Sequence, residues 1–231
     1  MASTKMTRVT DEVEVIRIGV GRMVNEQEIG ARVKNSIIGI IRGTGEITQA
    51  VVETVASTVQ SAIKESGETG AAAGSVAVGA VKGAIDAVGD VGGQAAETAA
   101  DSVTAAVESA SKVGASVGNA AKGAVIGVVR GSAEAGTETL EAVGQTSRTV
   151  VSEASAVGAD ITTAALGAVE GAIEAAKDTA VNVEEAAAAA ATGAIEAAGE
   201  VSEAAAVRVR RTVEGTIQGV KVIAKTTVGK Q

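Results

Sequence analysis

The sequence predicts an all-α protein of long, closely packed antiparallel helices that meet through glycine strips and repeat internally every 88 residues. Three observations carry this. The chain contains no Pro, Phe, Trp, Tyr, His or Cys, and its apolar content is mostly Ala and Val. A five-residue Gly-x-x-x-Gly motif with β-branched or small filling recurs at five regularly spaced positions. Apolar residues recur at helical spacing over long stretches.

Near the N-terminus, Val9, Val13, Ile16, Val20 and Met23 form one helical stripe. Residues 12–21, EVEVIRIGVG, also alternate in part, so a short strand is the other reading there. Ile47, Val51, Val55, Val59 and Ile63 follow a spacing of four, a single buried stripe. The tract EEAAAAAA at 184–191 has the highest helix propensity available. With no proline to punctuate the chain, turns are sought at glycine-rich spots: 65–74, 89–93 and 114–123.

The repeat is the strongest internal signal. GIIRG (39–43), GAVKG (79–83), GVVRG (127–131), GAVEG (167–171) and GTIQG (215–219) start 40, 48, 40 and 48 residues apart. The alternation gives a period of 88, supported by the match of GAVKGAIDAVGD at 79–90 to GAVEGAIEAAKD at 167–178. Eighty-eight is eight elevens, and eleven residues close three helical turns. Antiparallel helices that each cross the motif level once would place turns near the midpoints, at 61, 105, 149 and 193. Of these, only Thr192-Gly193 resembles a helix stop. One or two very long helices are the rival architecture. The division that follows is a basic N-terminal segment (1–38), repeat 1 (39–126), repeat 2 (127–214), and a partial repeat with a basic tail (215–231).

A glycine inside a helix costs about 1 kcal/mol relative to Ala, so 29 of them demand a return. Glycines at i and i+4 flatten one helix face, and a neighbouring backbone then approaches to contact distance. The candidate packing residues are Gly39, Gly43, Gly79, Gly83, Gly123, Gly127, Gly131, Gly167, Gly171, Gly215 and Gly219.

Charge is unevenly distributed. Residues 1–42 carry seven basic and five acidic residues (+2), 43–207 seven and 22 (−15), and 208–231 six and one (+5). Basic ends and an acidic middle suit pairing within or between chains. Arg208, Arg210, Arg211, Lys221 and Lys225 are the candidate electrostatic contacts for assembly.

The missing residue types exclude much chemistry. Without His or Cys there is no neutral-pH titrating side chain, thiolate or zinc–sulfur site. No phosphate-loop spacing occurs, and Gly-x-Gly at 19–21 and 43–45 lacks the third glycine of a dinucleotide fingerprint. An acidic middle and no aromatic ring argue against nucleic-acid partners. No catalytic residue, cofactor or metal site is expected. Asp11, Glu12 and Glu14 interrupt the place where a signal peptide would be apolar. The most apolar stretch, 71–89, contains Lys82 and Asp86 and is expected to pack on protein. The location expected is cytoplasmic, or peripheral to a membrane or granule.

The tracts AAETAADSVTAAVESASK (95–112) and AAKDTAVNVEEAAAAAATG (175–193) resemble the eleven-residue-repeat helical proteins, a class that includes late-embryogenesis-abundant proteins, phasins and apolipoprotein-like coats. The chain departs from them in its scarce Lys and frequent glycine strips. The expected function is non-enzymatic: a structural protein that self-assembles into a filament, sheet or tube, with itself as partner. The alternative is a coat on an anionic membrane, lipid droplet or polymer granule; a third is a stress, desiccation or ice-binding protein.

Overall fold

A computed structural model describes residues 25–44, 47–66, 70–90, 95–136 and 139–225. The stripe from Val9 to Met23 and the strand alternative at 12–21 lie outside the described residues. Among the described residues the protein is all-α, with nine helices and one small hairpin. The helices are α1 (Glu26–Thr44), α2 (Ile47–Ser66), α3 (Ala71–Asp90), α4 (Ala95–Lys112), α5 (Val117–Ala135), α6 (Thr139–Ala156), α7 (Ile161–Lys177), α8 (Val183–Val201) and α9 (Glu203–Val213). The hairpin joins β1 (Gly215–Ile217) to β2 (Val220–Val222).

The helices form two layers. The odd-numbered helices α1, α3, α5 and α7 pack on one another in turn, and the even-numbered α2, α4, α6 and α8 do the same. Contacts within the first layer climb together: Gly74 meets Gly123 and Val78 meets Gly127, then Gly118 meets Gly167 and Lys122 meets Gly171. Odd helices are therefore parallel, and each even helix carries the chain back. The result is a stack of helix pairs in which each unit touches its neighbours, the pattern of an α-solenoid.

The structural unit is 44 residues. Gly39, Gly83, Gly127, Gly171 and Gly215 recur at that interval, as do Gly30, Gly74 and Gly118, and Gly70, Gly114 and Gly158. The 88-residue period spans two units. The motif-based boundaries at 39 and 127 fall inside α1 and α5, while the one at 215 coincides with the start of β1.

Several expectations are corrected. The motif midpoints 61, 105, 149 and 193 lie inside α2, α4, α6 and α8, and Thr192-Gly193 is mid-helix in α8. The even helices carry no Gly-x-x-x-Gly, so a motif scan passes over them. The rival of one or two very long helices is overturned by the short connections. GTIQG at 215–219 is no helix strip but the hairpin itself. The glycine-rich spots fare better: 65–74 spans the break between α2 and α3, and 89–93 spans the end of α3. The third, 114–123, overlaps the turn at 113–116 but runs on into α5.

Two turns 44 residues apart share one geometry. Val113-Gly114-Ala115-Ser116 and Val157-Gly158-Ala159-Asp160 place their glycines at φ 70° and 71°. The next amide returns five residues, from Ala115 N to Ala110 O and from Ala159 N to Ala154 O, both at 2.8 Å. Each turn ends in an N-cap. Ser116 Oγ accepts from Asn119 N, and Asp160 Oδ1 accepts from Thr162 N at 2.9 Å. The Thr162 amide and the Thr163 hydroxyl hold the Asp160 carboxyl below its usual range.

The core is a continuous band of small side chains between the layers, with Val33, Ile37, Val51, Val55, Val59 and Ile85 fully or almost fully buried. The predicted stripe Val51, Val55, Val59, Ile63 is the inward face of α2. Each fully buried Val or Ile contributes about 1.5–3 kcal/mol. Buried hydroxyls bond to their own helix, Ser102 to Ala99 O and Ser147 to Val143 O. No buried side-chain polar atom among the described residues lacks a partner. One helix, α3, is long and apolar enough to cross a membrane (Ala72–Asp90), and 72% of that window is buried within the stack. It is a core helix here.

Candidate assembly surfaces at the ends of the stack

The first-layer glycines lie where backbones meet. A methyl group added at Gly83, Gly123 or Gly167 would collide with the backbone of Gly30, Gly74 or Gly118 on the preceding odd helix. One added at Gly127 would come within 2.9 Å of Val78 O, and one at Gly79 within 2.9 Å of Ile29 Cβ. Gly171 faces the Lys122 backbone, and Gly131 faces the Ile85 side chain at 3.1 Å. The backbone contacts leave no room for a larger residue, while at Gly131 the Ile85 side chain would have to give by a few tenths of an ångström.

Half of each contact was not found by the motif. Gly30, Gly74 and Gly118 are the acceptors beneath Gly79/Gly83, Gly123 and Gly167; Gly144 and Gly193 make the same contact in the second layer. Of the four closest glycine pairs, 30–83 is 53 residues apart and the other three (74–123, 118–167, 144–193) are 49 apart, as is the looser pair 30–79. The 49-residue interval exceeds the 44-residue unit by five, and was the available signal. A five-residue offset is about 7.5 Å along a helix. Because the two layers run in opposite directions, the offsets oppose each other and each unit is rotated relative to the last.

Charges reinforce the same joints. Lys82 Nζ reaches Glu134 at 2.7 Å and Asp86 at 2.8 Å. Lys122 reaches Glu174 at 2.7 Å, and Arg130 reaches Asp178 at 3.1 Å and Glu26 at 3.2 Å. Arg148 pairs with Glu196 and Glu200 across the second layer, and Lys34 pairs with Asp90. Burial alone would lower the Lys82 pKa, but hydrogen bonds to Asp86 and Glu134 outweigh it and hold the value above normal. Such partly exposed pairs contribute at most about 1 kcal/mol each, so they set register more than stability.

The ends differ from the interior. On α1, the face opposite α3 carries exposed Glu28, Ala31, Arg32, Asn35 and Gly39. Gly39 shares its repeat position with Gly83, Gly127 and Gly171, yet among the described residues nothing lies within 4 Å of a methyl placed there. Gly43 lies in the last turn of α1. At the other end α9 takes the place of the next odd helix, burying Ala205, Val209 and Val213. These sit 44 residues after Ile161, Ala165 and Val169, so α9 is a shortened copy of α7.

Gly215, 44 residues after Gly171, adopts φ 122° and turns the chain out of the helix. Gln218 and Gly219, at φ 48° and 81°, form a two-residue turn of type I′, and β2 folds onto α8. Lys225 N donates to Thr192 Oγ1 at 2.9 Å, fastening the strand there. Gly215 and Gly219 therefore shape the backbone, with nothing within 4 Å of a methyl at either.

The predicted basic group gathers on this last unit. Arg210 pairs with Glu214 at 3.0 Å. Arg208, Arg211, Lys221 and Lys225 are exposed and make no ion pair among the described residues. An acidic row runs along the second layer. Glu53, Glu97, Glu141 and Glu185 recur every 44 residues, one near the start of each even helix, and all are exposed. Burial, and then repulsion from Glu97, push the neighbouring Asp101 carboxyl above its usual range. Among the described residues no group of three or more acidic side chains is placed to hold a metal ion.

No protein-family model and no curated protein sequence matches this chain. Its likeness to the eleven-residue-repeat proteins is one of composition.

Proposed function

We propose that this is a non-enzymatic structural protein whose stacks join end to end into a filament. The observation that carries the reading is the placement of the large exposed apolar residues. Among the described residues these are Ile40, Val52, Val201, Val207 and Ile223. Ile40 and Val52 belong to the first unit, Val207 and Ile223 to the last, and Val201 ends α8 next to it; the flanks between contribute none. A repeat stack buries its apolar surface against neighbouring units, so end units that stay apolar are suited to further stacking. The two ends differ in structure, so their contact is heterologous, and it builds an open filament when the rotation between copies does not close a ring. The open Gly39 position adds a backbone surface of the kind the interior units use.

A coat on an anionic surface is the second reading, favoured by the exposed Arg208, Arg211, Lys221 and Lys225 on one end. Negative-stain microscopy and light scattering of the purified protein, with and without phosphatidylserine vesicles, separate the two. Filaments without lipid support self-assembly. A monodisperse monomer at high concentration that binds the vesicles overturns it in favour of the coat.

A further inference from the structure

Resting on the self-assembly reading, we infer that the joint between two copies seats the Lys221-Ile223-Lys225 face of one molecule in a groove at the start of α2 of the next. The face follows from strand geometry, since alternate residues point to opposite sides. Val222 and Ala224 are buried, while Lys221, Ile223 and Lys225 are exposed. Ile223, at 59%, is the most exposed large apolar side chain described. The result is an apolar knob flanked by two cations.

The groove has the complementary character. Its described lining is Ile47, Thr48, Gln49, Val52 and Glu53, an apolar floor with one carboxylate at its rim. Val52 is itself among the exposed large apolar residues. Glu53 accepts a hydrogen bond from Gln49 Nε2 at 2.7 Å and has no cation beside it among the described residues. It is the first of the exposed row Glu53, Glu97, Glu141, Glu185, so an approaching basic end meets a field of one sign. A knob carrying positive charge on both sides, an apolar groove with negative charge at its edge, and their location on opposite end units together specify a head-to-tail contact with a second copy.

The chain has no cysteine, so engineered thiols are the only ones present. The Val52→Cys and Ile223→Cys variants are purified separately, mixed under assembly conditions and oxidised. Disulfide-linked pairs are expected in the mixture, and neither variant alone should cross-link efficiently. In parallel, the concentration at which light scattering rises is measured for Lys221→Glu/Lys225→Glu, with circular dichroism verifying unchanged helix content. Reversing the two cations that face Glu53 and the acidic row behind it should raise that concentration about tenfold. Adding Glu53→Lys in the same chain should recover much of the loss.

Cross-linking of Val52→Cys with itself would overturn the inference by indicating head-to-head contact. Filaments that form normally from Lys221→Glu/Lys225→Glu would overturn the joint while leaving self-assembly standing. A wild-type chain that stays monomeric overturns both. Loss of phosphatidylserine-vesicle binding in that variant, with assembly unaffected, would reassign the basic face to a lipid surface.

Discussion

At the first unit, the position shared by Gly39, Gly83, Gly127, Gly171 and Gly215 faces outward, with no described residue within 4 Å of a methyl placed there. At the last unit, the same position, Gly215, has left the helix and begins the hairpin that folds over α8. Between them, three glycines are pressed against the backbone of the preceding helix. One residue type at one repeat position thus has three physical consequences: an open face, a sealed joint and a bend. The difference teaches that identity within a repeat does not determine role. What lies on the far side of the glycine does, and among the described residues it is the interior units that have a neighbour there.

The sharpest way to break this comparison is to enlarge glycines in turn. Gly123→Val places its side chain into the Gly74 backbone, which cannot yield as a flexible side chain would. Overpacking should cost about 1–3 kcal/mol or more, read as a lower urea midpoint. Gly215→Ala should cost about 1–3 kcal/mol, because φ 122° is strained for a residue with a Cβ. Gly39→Ala should be neutral or raise stability by up to about 1 kcal/mol, since it gains helix propensity and meets nothing. Equal losses at all three positions would mean that the open face of α1 is covered in solution.

Smaller effects sharpen the picture of the interior. Asp160→Ala removes the N-cap of α7 and should cost about 1 kcal/mol at neutral pH. The folded pKa of Asp160 is depressed below 3.8. Its charge-dependent contribution is therefore complete above the unfolded value and is lost as pH falls through the folded one. The advantage of wild type over Asp160→Asn should accordingly vanish in acid, as followed by thermal melts across that range. Asp101 has the opposite sign. Its raised pKa means that the charged form is disfavoured in the folded state. Asp101→Asn should stabilise slightly at neutral pH, with the gain disappearing as pH falls through the folded pKa.

The all-α class was legible because its signals are local: Ala tracts, no Pro, and stripes such as Val51, Val55, Val59, Ile63. The unit length was harder to read. The motif was scored by its first glycine, which alternates between two registers: Gly83 and Gly171 close their motifs, while Gly39 and Gly127 open theirs. That alternation splits 44 into 40 and 48. The even helices pack mainly through Ala, Val, Ser and Thr, and their one glycine contact, Gly144 with Gly193, carries no Gly-x-x-x-Gly to mark it. The hairpin was read as a strip because GTIQG fits the same pattern. Its distinguishing signal is Gln-Gly between β-branched runs, Thr216-Ile217 and Val220-Lys221-Val222, a two-residue turn in the making. The last unit's basic face was visible as composition, but its separation from the sealed side of the strand depends on how β2 lies on α8.

The 44-residue interval also makes the molecule a gauge. Its glycine contacts each involve only adjacent units, so an added unit leaves the backbone joints elsewhere in place. A duplicate of residues 83–126 inserted after residue 126 keeps a glycine at the Gly127 position and lengthens the stack by one step. Each step also turns the stack, through the offset between 44 and the 49 of the glycine contacts. Changing the number of units therefore changes not only how far apart the two ends stand but the direction in which each one points.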